Sequence, residues 1–263
     1  MTRIALTIAG VDPSGGAGIL ADVKTIAAFG VFPTAVITSV TYQNTQGVYG
    51  ALHQTAESVR RQMAAVFDDF SIDAVKTGML PSGEIIEEVG RMIREKRSKN
   101  VVVDPVVRST SGFDLIDNSA LRVLTERLFP LADLITPNIP EAERISGIAI
   151  ETVDDIIAAA RMMREMGATN VLIKGGHFGS GEKKEASDYL FLGEDLSILT
   201  GSYHVTSATH GTGCTLSSAI AANLALGIGL GRAVETAKVF VNEAIRTAPM
   251  IGKGNSPINI KPI

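Results

Sequence analysis

The chain's one cysteine stands in "HGTGCTLSSAIAANLALG", residues 210–227, after Gly211 and Gly213 and just ahead of Thr215, Ser217 and Ser218. Glycines at 211 and 213 let the backbone turn its N–H groups inward. The Ala/Leu run that follows reads as a helix, with Cys214 in its first turn. A helix start has unpaired N–H groups and the positive end of the macrodipole, so it attracts anions and lowers the pKa of a thiol. One chemistry open to this motif is a phosphate or oxyanion site beside a reactive thiol. The other reading is a buried cysteine closing a tight loop.

Four apolar strand cores end in polar residues: Lys76-Thr77-Gly78, Asp104-Pro105, Thr136-Pro137-Asn138 with Glu141, and Lys174-Gly175-Gly176. In an open parallel sheet such endings share one edge, where ligands bind. Singly, Asp104-Pro105 is ordinary turn chemistry, and Asn138 with Glu141 is a helix start and its N-terminal charge. Together, two lysines, two carboxylates and an anion-binding helix start suit Mg²⁺ and a polyphosphate. Mg²⁺ takes few protein oxygens and completes its shell with water and substrate phosphate. The combination points to phosphoryl transfer. Gly10–Gly16 lacks the Lys-Ser/Thr of a P-loop, and Leu216 stands where a dinucleotide fingerprint needs its third glycine. No catalytic-loop or Asp-Phe-Gly motif of a protein kinase is present.

A second glycine loop opens a helix in "GVDPSGGAGILADVKTIAAFG". Asp22, three residues after Ile19 and four before Ile26, lies beside the apolar stripe and needs a partner, either a ligand or an internal salt bridge. "TYQNTQG" follows the second strand at the same sheet edge. Gln43 there could offer donor and acceptor together to a heteroaromatic edge, or brace a turn.

Short apolar runs alternating with helical patterns must position these residues, which predicts βαβ units around a parallel sheet. "RIALTIAG" is followed by a helix from about Ala17 to Phe29, "TAVITSVTY" by "AESVRRQMAAVFDDF", and "IDAVKTG" by "SGEIIEEVGRMIREKRS". "NVVVDPVV" precedes "NSALRVLTERLF", "ADLITPN" precedes "PEAERISG", and "TVDDIIAAARMMREMG" leads into "TNVLIKGG". "ASDYLFLG" and "LSILTGSYHV" are spaced as a hairpin, and the 212–226 segment and "GRAVETAKVFVNEAIR" close the chain. Disorder is expected at "GSGEKKEAS" and in the tail "GKGNSPINIKPI".

At 263 residues and 45% hydrophobic, with no linker or repeat, the chain reads as a single α/β domain over 1–263. A net charge of −4 argues against nucleic acid or an anionic membrane as partner. One cysteine excludes an intrachain disulfide framework and fits a reducing cytoplasm. The opening "MTRIALTIAGVDPSGG" reads as a first strand rather than a signal peptide, and no apolar run is long enough to span a bilayer. Four scattered histidines and one cysteine give no zinc spacing.

These stretches resemble, in order and over essentially the whole length, the hydroxymethylpyrimidine/phosphomethylpyrimidine kinases, the thiamine-pathway branch of the ribokinase-like superfamily. The segments are "IAGVDPSGGAGILADVKT", "VITSVTYQNTQGV", "VKTGML", "VVVDPVV", "LITPNIPEA", "VLIKGGH" and "HGTGCTLSSAIAANLALG". Many sugar kinases of the superfamily carry Asp where this chain has Cys214, so the cysteine points to the pyrimidine and pyridoxal branch.

The resemblance implies a three-layer α/β/α sandwich with a mostly parallel central sheet, often dimeric. It also implies ATP-dependent phosphorylation of an aminopyrimidine alcohol and then of its monophosphate. Gln43 and Asp22 would hold the ring, in a pocket lined by Gly10, Ala17, Met79 and Val106. Cys214 would be the base, with Gly211 and Gly213 as the anion hole. Asp104, Asn138 and Glu141 would organise Mg²⁺ and phosphate, with Asp104 and Glu141 as the metal's carboxylates. Lys174, Asn138 and Lys76 would face ATP. Two departures from the family pattern bear on the substrate: Tyr42 before "QNT" could narrow the pocket, and Arg108 could add charge near the phosphates. Competing readings are a pyridoxal/pyridoxine kinase of the same branch, a thiol hydrolase using Cys214 with His210, and a non-catalytic nucleotide-binding regulator.

Overall fold

The computed structural model describes residues 2–107, 115–176, 178 and 185–261. Its strands are β1 (Ile4–Val11), β2 (Phe32–Asn44), β3 (Gly47–His53), β4 (Ala74–Thr77), β5 (Val101–Val103), β6 (Leu134–Ile135), β7 (Asn170–Lys174), β8 (Glu185–Leu192) and β9 (Asp195–Ser202). Its helices are α1 (Gly18–Ala28), α2 (Ala56–Asp69), α3 (Gly83–Glu95), α4 (Asn118–Val123), α5 (Ile139–Ser146), α6 (Val153–Glu165), α7 (Thr212–Ala225) and α8 (Leu230–Arg246). One sheet holds all these strands in the order β3-β2-β1-β4-β5-β6-β7-β8-β9. From β2 to β7 the neighbours are parallel, and antiparallel hairpins extend both edges.

The central strands are apolar throughout because both faces are covered. Successive residues alternate between two cores, as the period of two requires. Leu6, Ile8, Val75, Val101, Val103, Ile135, Val171 and Ile173 pack with residues of α2 to α6. Ala5, Ala74, Val102, Leu134 and Leu172 pack with α1, α7 and α8. These are the three layers that the family resemblance implies.

Three expectations change. "TYQNTQG" does not follow the second strand: Tyr42 to Asn44 are its last residues, paired with Gly47 to Gly50 of β3, which sequence reading did not anticipate. Its two glycines dilute the alternation that marks a strand. Tyr42 faces outward at 56% exposure and packs over Gly50, so it does not narrow any pocket. The tail expected to be disordered packs as an ordered segment through residue 261, with Ser256 and Ile258 buried. Arg108 and residues 179–184 lie outside the described residues.

Asp22 is also corrected here. It is fully buried: Oδ2 accepts from Lys76 Nζ at 2.8 Å and Thr7 Oγ1 at 2.6 Å, and Oδ1 accepts from Ser218 Oγ at 2.8 Å. The carboxylate joins α1, β1, β4 and α7 and has no face toward a ligand. Its internal salt bridge is the partner that its place beside the stripe demanded. Removing one member of a buried pair leaves an uncompensated charge, typically a loss of about 3–5 kcal/mol. Asp22→Ala is expected to lose that much in urea unfolding, and adding Lys76→Met should recover a large part. A loss under about 1 kcal/mol for the single variant would show that the pair contributes little.

Candidate active site

A cavity of about 820 Å³ runs along the C-terminal ends of the parallel strands. Gly10, Ala17, Gln43, Met79 and Val106 line one end, and Asp104, Lys174 and Cys214 line its middle. Gly175, Asp188, Lys238 and Asn242 line the other end. This is the edge where the strand order reverses around β1, the expected ligand crevice of an open α/β sheet.

Backbone contact between the two glycine loops builds the centre. Gly211 caps α7 with φ +84°, a conformation costly for any side chain, and a Cβ there would fall 1.8 Å from the Gly16 carbonyl oxygen. The first-turn N–H groups of Gly213 and Cys214 have no acceptor within the helix, and both residues line the cavity. Asp12 organises the opposite loop: its Oδ2 accepts from Ala17 N at 2.9 Å and Ser14 Oγ at 2.9 Å and lies 2.7 Å from His210 Nε2. Asp12, and at the far end Asp188, Lys238 and Asn242, are cavity residues that sequence reading did not single out, while His210 was read only as a partner for Cys214. The signal for Asp12 was available in "DPSGG", where an Asp before a glycine loop can accept several backbone N–H bonds.

At the middle, Asp104 is buried and fully bonded. Its Oδ1 accepts from Lys174 Nζ at 2.9 Å and Thr136 Oγ1 at 3.0 Å, and its Oδ2 accepts from Ser217 Oγ at 3.2 Å. Burial works to raise its pKa, but Lys174 and Lys76 outweigh it and hold the carboxyl below its usual range. Burial likewise opposes the charge on Lys174, and Asp104 and Glu141 overcome it, so the ammonium is held above its ordinary value. Lys174 Nζ also lies against the first turn of α7, 3.2 Å from where a Gly213 Cβ would be.

Asn138 and Glu141 form a capping box on α5. Asn138 Oδ1 accepts from Glu141 N at 2.9 Å, and Glu141 Oε2 accepts from Asn138 N at 2.8 Å. The helix-start reading of this pair is therefore realised, and both residues line the cavity as well. Burial, with Asp104 nearby and Lys174 opposing, pushes Glu141 up to about 7.

Two further expectations are overturned. Lys76 borders the cavity, but its ammonium is fully buried and bonded to Asp22, so it is not free to face ATP. The helix start does not lower the Cys214 thiol: burial pushes it up to about 11, Asp22 and Asp104 add to this, and Lys76 and the Gly18 N–H only partly oppose it. The thiol-hydrolase reading lacks its assembled pair: His210 Nε2 is held by Asp12, and among the described residues no hydrogen bond joins His210 to Cys214.

The strand order, the helical layers on both faces and the cleft along the strand ends define a ribokinase-like α/β protein. The pyridoxal kinase of Bacillus subtilis, crystallised as an ADP complex, superposes with a TM-score of 0.89 at 38% identity, covering 98% of this chain and 97% of that one. Within that class the chain belongs to the phosphomethylpyrimidine kinase family, whose model matches residues 12–259. The hydroxymethylpyrimidine/phosphomethylpyrimidine kinase of Bacillus subtilis is 45% identical over 255 residues, 97% of this chain and 93% of that protein. The thiamine biosynthesis bifunctional protein of Geobacter sulfurreducens is 46% identical over 254 residues, 97% of this chain. The chain spans 51% of that longer protein.

Glutamine at 141 would keep the cap, since its carbonyl can still accept the Asn138 N–H, while removing the charge. A carboxyl raised to about 7 stabilises the fold fully below its ordinary value of 4.5, and that contribution is lost as pH rises through about 7. Wild type is therefore expected to lose up to about 3 kcal/mol relative to Glu141→Gln between pH 4.5 and about pH 8. Urea unfolding without divalent ions reads this directly. Parallel profiles would mean that Glu141 titrates as an ordinary carboxyl.

Proposed function

We propose that this chain transfers the γ-phosphoryl group of ATP to 4-amino-5-hydroxymethyl-2-methylpyrimidine, and then to the resulting monophosphate, in thiamine biosynthesis. The observation that carries this reading is the single continuous cleft with the start of α7 between its two ends. A small ring at the Gln43 end and a nucleotide at the Lys238 end would meet at Gly211–Cys214. The names of the relatives support the same reading. It includes a homodimer and a cytoplasmic setting, with no nucleic-acid partner. No helix among the described residues is long and apolar enough to cross a membrane.

Each residue then has work. Gln43 Oε1 is 3.1 Å from Thr41 Oγ1, which orients the amide toward the ring's polar edge. A Cβ at Gly10 would fall 2.6 Å from Met79 Cε, so a side chain there would displace the methionine on the pocket wall. Lys174 and the first-turn N–H groups of α7 stabilise negative charge on the transferring group, where positioning and electrostatics supply most of the catalysis.

The donors fit Mg²⁺: Asp104 and Glu141 are oxygen-only, and no cluster of three His, Cys, Asp or Glu side chains among the described residues offers a competing cage. These two carboxylates would hold the ion through water, and it would neutralise phosphate charge.

ADP release measured with the pyrimidine alcohol, its monophosphate and pyridoxal tests the function. Turnover of both pyrimidines above pyridoxal supports it. Turnover of pyridoxal alone would favour the pyridoxal reading, and ATP binding without turnover would make the chain a nucleotide-binding regulator.

The raised thiol makes the role of Cys214 testable by pH. The alcohol must lose a proton as its bond to phosphorus forms, whereas the monophosphate, with a second pKa near 6, is already mostly ionised. If the thiolate is the base, turnover of the alcohol should climb about tenfold per pH unit between pH 7 and 9. Turnover of the monophosphate should stay flat, and Cys214→Ala should slow the alcohol step by about 10²-fold or more while sparing the second. Flat profiles for both acceptors would leave Cys214 as a packing residue.

A further inference from the structure

The C-terminal segment ties together the loops on which both the ring pocket and the anion site depend. At the tip of the β2–β3 hairpin, two residues past Gln43, Thr45 Oγ1 accepts the N–H groups of Lys253 and Gly254, each at 3.2 Å. The Thr45 carbonyl accepts the Asn255 N–H at 2.8 Å. The approach is close enough to require glycine. A Cβ at Gly252, where φ is +83°, would fall 2.5 Å from Thr45 Oγ1, and one at Gly254 would fall 2.2 Å from Thr45 O.

The same segment then runs to the other loops. His210 N donates to Ser256 O at 3.3 Å, and Pro257 Cβ lies 3.1 Å from where a Gly16 Cβ would be. Beyond it, Asn259 anchors to the end of α8, through N to Ala244 O at 2.9 Å and Nδ2 to Thr247 O at 3.1 Å. The hairpin is otherwise a sheet edge with polar and exposed residues at its tip, so local packing does little to fix it.

We infer that residues 251–257 are a strap that sets the position of the Gln43 hairpin relative to the His210–Gly211 loop, and that Thr45 is a positioning residue for recognition of the aminopyrimidine ring. The part concerning the ring rests on the proposed function. The strap itself does not. Hydrogen exchange on the whole unliganded chain and steady-state kinetics with the pyrimidine alcohol and ATP test the two parts separately.

Thr45→Val removes the acceptor of two N–H bonds and keeps the β-branched shape. It should speed amide exchange at 43–48 and 251–256. It should also raise KM for the pyrimidine alcohol about tenfold, the worth of one to two ordinary hydrogen bonds, while KM for ATP changes less than about twofold. Thr45→Ser, which keeps the acceptor, should restore both readouts. Unchanged exchange in Thr45→Val would show that these bonds do not hold the hairpin, and would overturn the inference. Faster exchange with an unchanged KM for the alcohol would overturn the positioning role. Should wild type fail to turn over the pyrimidine, the proposed function falls, and exchange alone still decides whether the strap exists.

Discussion

The close approach of Gly211 to Gly16 is the constraint on which the cleft depends. A residue with a side chain at 211 would collide with the Gly16 carbonyl and would also have to hold a φ of +84°. With glycine, the start of α7 comes down directly beside the loop that opens α1. That brings the free N–H groups of one helix start against the Asp12-ordered turn of the other. His210 fastens the two loops by its contact with Asp12, and Gly16 must be bare because its Cβ would fall 2.3 Å from the His210 ring. The place of the α7 start in the cleft is therefore a product of backbone contact, with Asp104, Lys174 and Cys214 brought beside it.

Charge balance in the cleft follows from burial. Asp22, Asp104 and Glu141 face Lys76 and Lys174, so buried carboxylates outnumber buried ammoniums. Asp22 satisfies Lys76, and Asp104 satisfies Lys174, which leaves Glu141 with backbone N–H donors and, among the described residues, no cation bonded to it. That is why its carboxyl is the one displaced upward while Asp104 is held down. A divalent cation beside this cluster would reverse the imbalance, and a polyphosphate alone would deepen it. In the proposed reaction, these electrostatics would favour nucleotide and metal arriving together.

The layered fold was legible because its signals are local: apolar runs of strand length, helices of the right period between them, and polar residues at strand ends. Gln43, Gly10, Ala17, Met79 and Val106 do share one cavity wall, and Asp104, Lys174 and Cys214 its middle. What sequence could not supply was the choice between partners. Asp22 beside an apolar stripe was open to a ligand or a salt bridge, and only the placement of Lys76 on β4 decided it. The Cys214 expectation failed for a related reason. Around Cys214, which is half-buried on the cavity wall, desolvation and the Asp22 and Asp104 carboxylates outweigh what the helix start and Lys76 offer. The tail misled because its glycines suggest freedom, whereas two of them are needed to pass Thr45 closely.

A neutral thiol has its own logic in a cleft of this composition. In the proposed reaction, phosphate oxygens arrive beside Asp104 and Glu141. A thiolate at 214 would add a further negative charge where charge must be neutralised. Kept protonated by burial, the sulfur is small and polarisable, and it receives the Gly18 N–H. It can then sit against the acceptor oxygen without repelling either an alcohol or a monophosphate. An aspartate in the same place would serve a neutral alcohol as base and would repel a phosphate monoester. A thiol that ionises only to take the alcohol's proton, and stays neutral beside the monophosphate, would thus suit a site that takes both acceptors in turn.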